Sequence, residues 1–217
     1  RKDDAMIDYT KLYILGNKLS YNPQLVHSGQ LRVGFTRTWM GFGGREMSEP
    51  AEWSFFSQEI LIAKVIPNEP LRFIYKRQAK LLQYTTCEVK FHFFNKEVVQ
   101  LLNTMGATGI SYYPTIIEHK KEKRTITEYS GIQISGRFGD IDRLRGEIIP
   151  YPLPNGNVSK RIKGMYFIDD NWGGLDFSVH EKGGFIVTTQ RIRDLFEEHK
   201  ISGAEFISLY DYLLLVT

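Results

Sequence analysis

Hydrophobic and polar positions change period twice along the chain, in the same way each time. From Val89, apolar Phe91 and Phe93 alternate with Lys90 and His92, the period-two pattern of a half-buried strand. Asn95 then offers a side-chain oxygen to the amides of a first helical turn. Val98, Leu101, Leu102 and Met105 recur at helical spacing and form one apolar face. Gly106 and Gly109 suit the C-terminal turn, and Ile110 to Ile117 returns as a strand. The same grammar recurs near the end: Phe185 and Val187, a cap at Thr188 or Thr189, a face of Ile192, Leu195, Phe196 and His199, then Gly203, Phe206 and Leu209. Phe91 aligns with Phe185, Val98 with Ile192, Leu101 with Leu195, Gly109 with Gly203 and Tyr112 with Phe206. The segments 90–114 and 184–208 therefore read as two strand–helix–strand units from an internal duplication.

The rest of the chain reads as short strands. Lys11 to Leu15 predicts a strand stopped by Gly16-Asn17, and Gly29 to Thr36 predicts another. The apolar run Glu59 to Ile66 is expected to be a buried strand, with Leu71 to Tyr75 following a turn at Pro67 and Pro70. His119 to Arg124 (HKKEKR) is a charged hairpin tip leading to a strand over Ile126 to Ser135. Phe138 to Leu144 predicts a helical turn, and Pro150 to Gly156 a loop. Lys163 to Ile168 and Leu175 to Val179 are expected strands around the turn Asp169 to Gly174. Leu213-Leu214-Leu215 supplies the last. Many short strands with two good helices predict an α+β fold, mainly antiparallel. The expected organisation is one globular domain over 1–217, with lobes at 1–118 and 119–217.

Composition fits a folded globular chain, with 42% hydrophobic and 24% charged residues. The 14 Phe, 12 Tyr and 3 Trp favour strands and broad contact surfaces. A net charge of +3 with dispersed basic residues gives no support to nucleic-acid binding. A single cysteine, Cys87, excludes an internal disulfide and suits a reducing compartment. No apolar run approaches membrane-spanning length. The cytoplasm is the expected location, with the periplasm also compatible.

Candidate chemistry fails on spacing. Gly41-Phe42-Gly43-Gly44 is followed by Arg45 to Pro50, not by the Lys-Ser/Thr and helix of a phosphate loop. Asp140, Asp142 and Glu147 open like a calcium loop, but Arg145 and Tyr151 fall where glycine and glutamate are required. Asp169, Asp170 and Asp176 read as turn residues. The five histidines lack zinc spacing, and there is no second cysteine to share a site. His199 takes a core-facing helical slot. No catalytic residue, metal or cofactor is expected.

The two units resemble a known family. Phe94-Asn95-Lys96-Glu97-Val98 through Gly109-Ile110-Ser111-Tyr112-Tyr113-Pro114, and Val187-Thr188-Thr189-Gln190-Arg191-Ile192 through Gly203-Ala204-Glu205-Phe206, carry its repeated cap, helix and G-x-x-[FY] pattern. Tyr129 to Ile134, Ile141-Asp142 and Met165 to Ile168 are similar to the segments between. These signatures span Val89 to Leu209 and resemble immunity family eleven of bacterial polymorphic-toxin systems. The resemblance implies a non-enzymatic protein that binds and neutralises a cognate toxin. Expected contacts are Trp39, Phe42 and Arg45 in one loop, Lys121, Lys123 and Arg124 at the basic tip, and Trp172, since Trp and Arg anchor such interfaces. Two other readings are a ligand-binding domain or enzyme using Gly41–Gly44 with Asp169–Asp176, and an adaptor that binds without inhibiting.

Overall fold

The computed structural model describes residues 7–17, 32–33, 58–67, 69–75, 81–86, 91–119, 122–153, 155–168, 172–180 and 185–215. In chain order the strands and helices are β1 (Leu12–Asn17), β2 (Arg32–Val33), β3 (Leu71–Tyr75), β4 (Tyr84–Thr86), β5 (His92–Asn95), α1 (Lys96–Met105), β6 (Ile110–His119), β7 (Arg124–Ile126) and β8 (Tyr129–Ile134). The second half adds β9 (Gly136–Phe138), β10 (Ile141–Asp142), β11 (Glu147–Pro152), β12 (Val158–Lys163), β13 (Tyr166–Phe167), β14 (Phe177–His180), β15 (Ile186–Thr189), α2 (Gln190–Glu198), β16 (Ala204–Ser208) and β17 (Leu213–Leu215). The fold is mixed, mainly β, with several antiparallel sheets. Only β3 with β6 and β9 with β14 pair in parallel among the described strands.

Both strand–helix–strand units form, and each lies in a four-strand run of the same topology, one within a seven-stranded sheet and the other within a five-stranded sheet. In the first the order is β4-β5-β8-β6; in the second it is β14-β15-β1-β16. The registers agree residue for residue. Tyr84 pairs with Phe94 as Phe177 pairs with Thr188. Phe93 faces Gly131 and Tyr112 faces Ile132, while Val187 faces Ile14 and Phe206 faces Leu15. The inner strand thus follows its unit in the first sheet and comes from the start of the chain in the second. A division at residue 118 would cut β8 from the first sheet and β1 from the second.

Three apolar clusters explain why these strands are not simply alternating. Both helices and both sheets meet in one core of Leu15, Tyr84, Phe94, Val98, Leu102, Phe177, Ile192 and Phe196. Behind the first sheet, Phe73, Tyr75, Phe91, Phe93 and Ile117 form a second; behind the other, Leu12, Ile14, Phe138, Phe167 and Val187 form a third. β5 is therefore buried on both faces rather than half-buried, since Phe93 and Phe94 are both fully enclosed.

Local chemistry sets the helix ends. Asn95 caps α1, its Oδ1 accepting from the Val98 amide at 3.1 Å, and Gly106 closes the helix with φ 66°. Thr189 precedes α2 in the same extended conformation but makes no side-chain cap. Its hydroxyl donates to Asp176 instead.

Four expectations are corrected. The run Glu59–Ile66 is a helical turn at 58–61 followed by bends, not a strand. A short apolar run does not distinguish the two by period. Here Gln133 Nε2 donates to the carbonyls of Ile60 and Val65, and Arg137 to that of Ile62, so the freed acceptors are satisfied. Phe138–Leu144 makes strand residues rather than a helical turn, because Phe138 is buried and registers with His180. The Pro150–Gly156 loop is shorter than expected: β11 runs through Pro150 and Pro152 to a turn at 153–157, which an edge strand tolerates. His199 is exposed as the C-cap of α2, one step past the core face.

Candidate functional site

The turn after each helix docks on the strand that precedes the other unit, β14 or β4. Phe177 N donates to Thr108 O at 3.1 Å, and Tyr84 N donates to Ser202 O at 3.0 Å. Gly109 and Gly203, at φ 79° and 92°, make this approach possible. A Cβ on either would lie 2.2 Å from a backbone oxygen, that of Phe177 or of Tyr84.

The side chains beside these contacts match as well. Asp176 Oδ2 accepts from the Thr108 amide at 2.9 Å and hydroxyl at 3.0 Å, and the Asp176 amide donates to the Thr108 hydroxyl at 3.0 Å. Gln83 does the same with Ser202: its Oε1 accepts from the Ser202 amide at 2.9 Å and hydroxyl at 3.2 Å, and its amide donates to the hydroxyl at 3.1 Å. Asp176 and Gln83 thus occupy one role, as do Thr108 and Ser202.

The two junctions differ in the next residue. Arg191 lies over the buried Asp176, its Nε 3.3 Å from Oδ1, and its Nη2 donates at 2.9 Å to the carbonyl of Met105 at the end of α1. That guanidinium closes the junction. Glu97 holds the matching place in the first unit, and among the described residues it accepts only from neutral donors, Gln83 Nε2 at 3.2 Å and Asn95 Nδ2 at 3.4 Å.

A cleft of about 870 Å³ opens at that point, bounded by Gln83, Glu97, Gln100, Arg124, Glu128 and Ser202 among others. Leu82 and Ser202 connect it to a second hollow of about 550 Å³ beside Gly203 and Glu205. His119 reaches the cleft but is occupied, its Nδ1 accepting from the Glu122 amide at 3.1 Å and its Nε2 lying 3.3 Å from the Glu122 carboxylate. Arg124 also pairs with Glu122, at 2.5 Å, and holds that carboxyl below its ordinary range. Tyr129 donates to Leu82 O at 3.1 Å, and burial pushes its phenol up to about 12. The described lining residues offer charges and hydrogen bonds fixed in place, and among them no nucleophile is set beside a free base.

Of the residues singled out in sequence, Arg124 borders the cleft and Lys123 is exposed beside it with φ 50°. Trp172 is elsewhere. It is half-buried, stacked on Phe138 at 5.9 Å, and its Nε1 donates to Leu175 O at 2.9 Å, so it packs beneath its own turn. Trp39, Phe42, Arg45 and Lys121 lie outside the described residues, as do Gly41–Gly44, Asp169 and Asp170. Asp176, offered as part of an acidic site, is instead the buried clip between units. Gln83, Glu97 and Ser202 were missed. Extending the repeat alignment past Gly109 and Gly203 to Thr108 and Ser202 is the signal that finds them.

No family model matches the chain, and no curated protein matches it at a significant level.

Proposed function

We propose that this chain is a binding protein that holds a partner protein at the open junction, and that the partner is a cognate bacterial toxin which it neutralises. The observation that carries the binding reading is the contrast between junctions: one is sealed by Arg191, while its counterpart is a cleft of about 870 Å³ framed by rigid elements. Side chains fixed on a helix and a sheet present a preorganised surface, which lowers the ordering cost of association. Neutralisation comes from the family resemblance of 90–114 and 184–208, and the matched sheet registers support descent of both units from one duplicated element.

The test is co-expression of the chain with the toxin-like product of a neighbouring gene in a sensitive host. Growth rescue together with a stoichiometric complex on size-exclusion chromatography is the expected result. A complex without rescue would leave an adaptor, and neither would end the reading.

A further inference from the structure

We infer that the open cleft receives an arginine side chain of the partner protein, placed over Glu97 as Arg191 is placed over Asp176. The inference rests on the binding reading above and names the chemistry of the group bound. Its template lies within the chain. The closed junction has three parts: a side-chain oxygen clasping the facing turn, a guanidinium above it, and the last carbonyl of the facing helix accepting from that guanidinium. At the open junction the first part is present in Gln83 with Ser202. The helix end that corresponds to Met105 is His199, next to Lys200 of the connected hollow, and among the described residues no side chain donates to its carbonyl. The Ile201 amide donates to Phe196 O as the Ala107 amide does to Leu102 O, so the two helix ends have the same geometry. Only the guanidinium is missing.

Charge at the cleft favours the same group. Glu97 and Glu128 have no ion-pair partner among the described residues, and Glu122 is satisfied by Arg124. Glu205, beside the connected hollow, has an occluded Oε2 with no donor. Lys96, exposed at the start of α1, and Lys200, in the connected hollow, are the unpaired cations described among the lining residues, and Arg124 is held by Glu122. A planar guanidinium can serve a carboxylate and a helix-end carbonyl at once, which an ammonium does less well.

The test titrates Nα-acetyl-arginine amide, the lysine analogue and free arginine into the full chain, followed by NMR shifts of the Glu97 and Ser202 amides. The expected result is saturable binding of the capped arginine, at least fivefold tighter than the lysine analogue and no weaker than free arginine. Glu97→Arg, which supplies the missing group in cis, should weaken it tenfold or more. Glu97→Gln, which keeps the shape, should weaken it severalfold and stands in if the first variant fails to fold. Absence of saturation, no preference over lysine, tighter binding of free arginine, or unchanged binding by the folded variants would overturn the inference. Against a toxin that does form a complex, retention of that complex by Glu97→Arg would overturn it while leaving the proposed function in place.

Discussion

Asp176 and Thr108 stand 68 positions apart in sequence, yet one carboxylate oxygen of the first accepts from both the amide and the hydroxyl of the second, at 2.9 and 3.0 Å. The other oxygen takes the Thr189 hydroxyl at 2.9 Å and faces Arg191. One buried side chain thus ties the end of the first helix to the start of the second. Asp176→Ala leaves these donors without an acceptor and is expected to cost about 3 kcal/mol. Asp176→Asn keeps an acceptor for Thr108, as Gln83 does for Ser202, and should cost about half as much. Urea denaturation of both variants checks the order.

The docking glycines give a sharper contrast. Gly109→Ala and Gly203→Ala each place a Cβ against backbone at a left-handed residue, and a loss of about 2–4 kcal/mol is expected. Gly106→Ala meets the same φ penalty with open space around it, so about 1 kcal/mol is expected there. Thermal melts of the three variants separate the cost of conformation from the cost of the junction.

His92 makes stability depend on pH. Its ring stacks on Tyr84, whose hydroxyl is hydrogen-bonded to Nδ1 at 2.7 Å, and burial lowers the imidazole to about 4. The unfolded chain takes up a proton near pH 6.5 while the folded one does not, so stability present above that value is lost as pH falls toward 4. Between pH 7 and 5 the wild type should lose about 2 kcal/mol more than His92→Gln, read from urea midpoints at the two pH values.

β11 is the free edge of its three-strand sheet, in the order β11-β12-β17. The Leu153 amide turns inward to Asn157 O, so alternate positions 152 and 150 turn outward, and both are proline. At those two positions the edge lacks the donors another strand would need, although Ile148 and Val158 leave apolar surface there. Replacing both prolines with threonine should produce concentration-dependent oligomers on size-exclusion chromatography, and a monomeric double variant would show that the prolines do not guard this edge.

The elements that sequence reveals are those whose causes are local. Asn95 and Gly106 act within a few residues of themselves and appear as read, whereas Gly109 and Gly203, read as local turns, also meet backbone from distant strands. The misreadings arise where a distant partner decides. Gln133 and Arg137 stabilise the turn at 58–65 from about 70 residues away, and an unpaired edge lets β11 keep its prolines. The cleft was hidden for a related reason. Gln83 meets Ser202 across 119 residues, and its offset from Asp176 is 93 where the units themselves are offset by 94. Neither residue looks like chemistry by itself; the comparison of two junctions gives them meaning.

The inner strand of the second sheet, β1, also has a consequence for biosynthesis. Its hydrogen-bonding partners β15 and β16 begin at residues 186 and 204, so β1 is translated long before either strand that flanks it. The first four-strand run is complete by residue 134 and can assemble during translation. Ribosome-stalled chains ending near residue 180, in which residue 134 has cleared the exit tunnel and β15 is not yet made, should therefore protect β5 and β8 amides from exchange while leaving β1 open. Such vectorial assembly makes the first unit the surface on which the second, discontinuous one is completed.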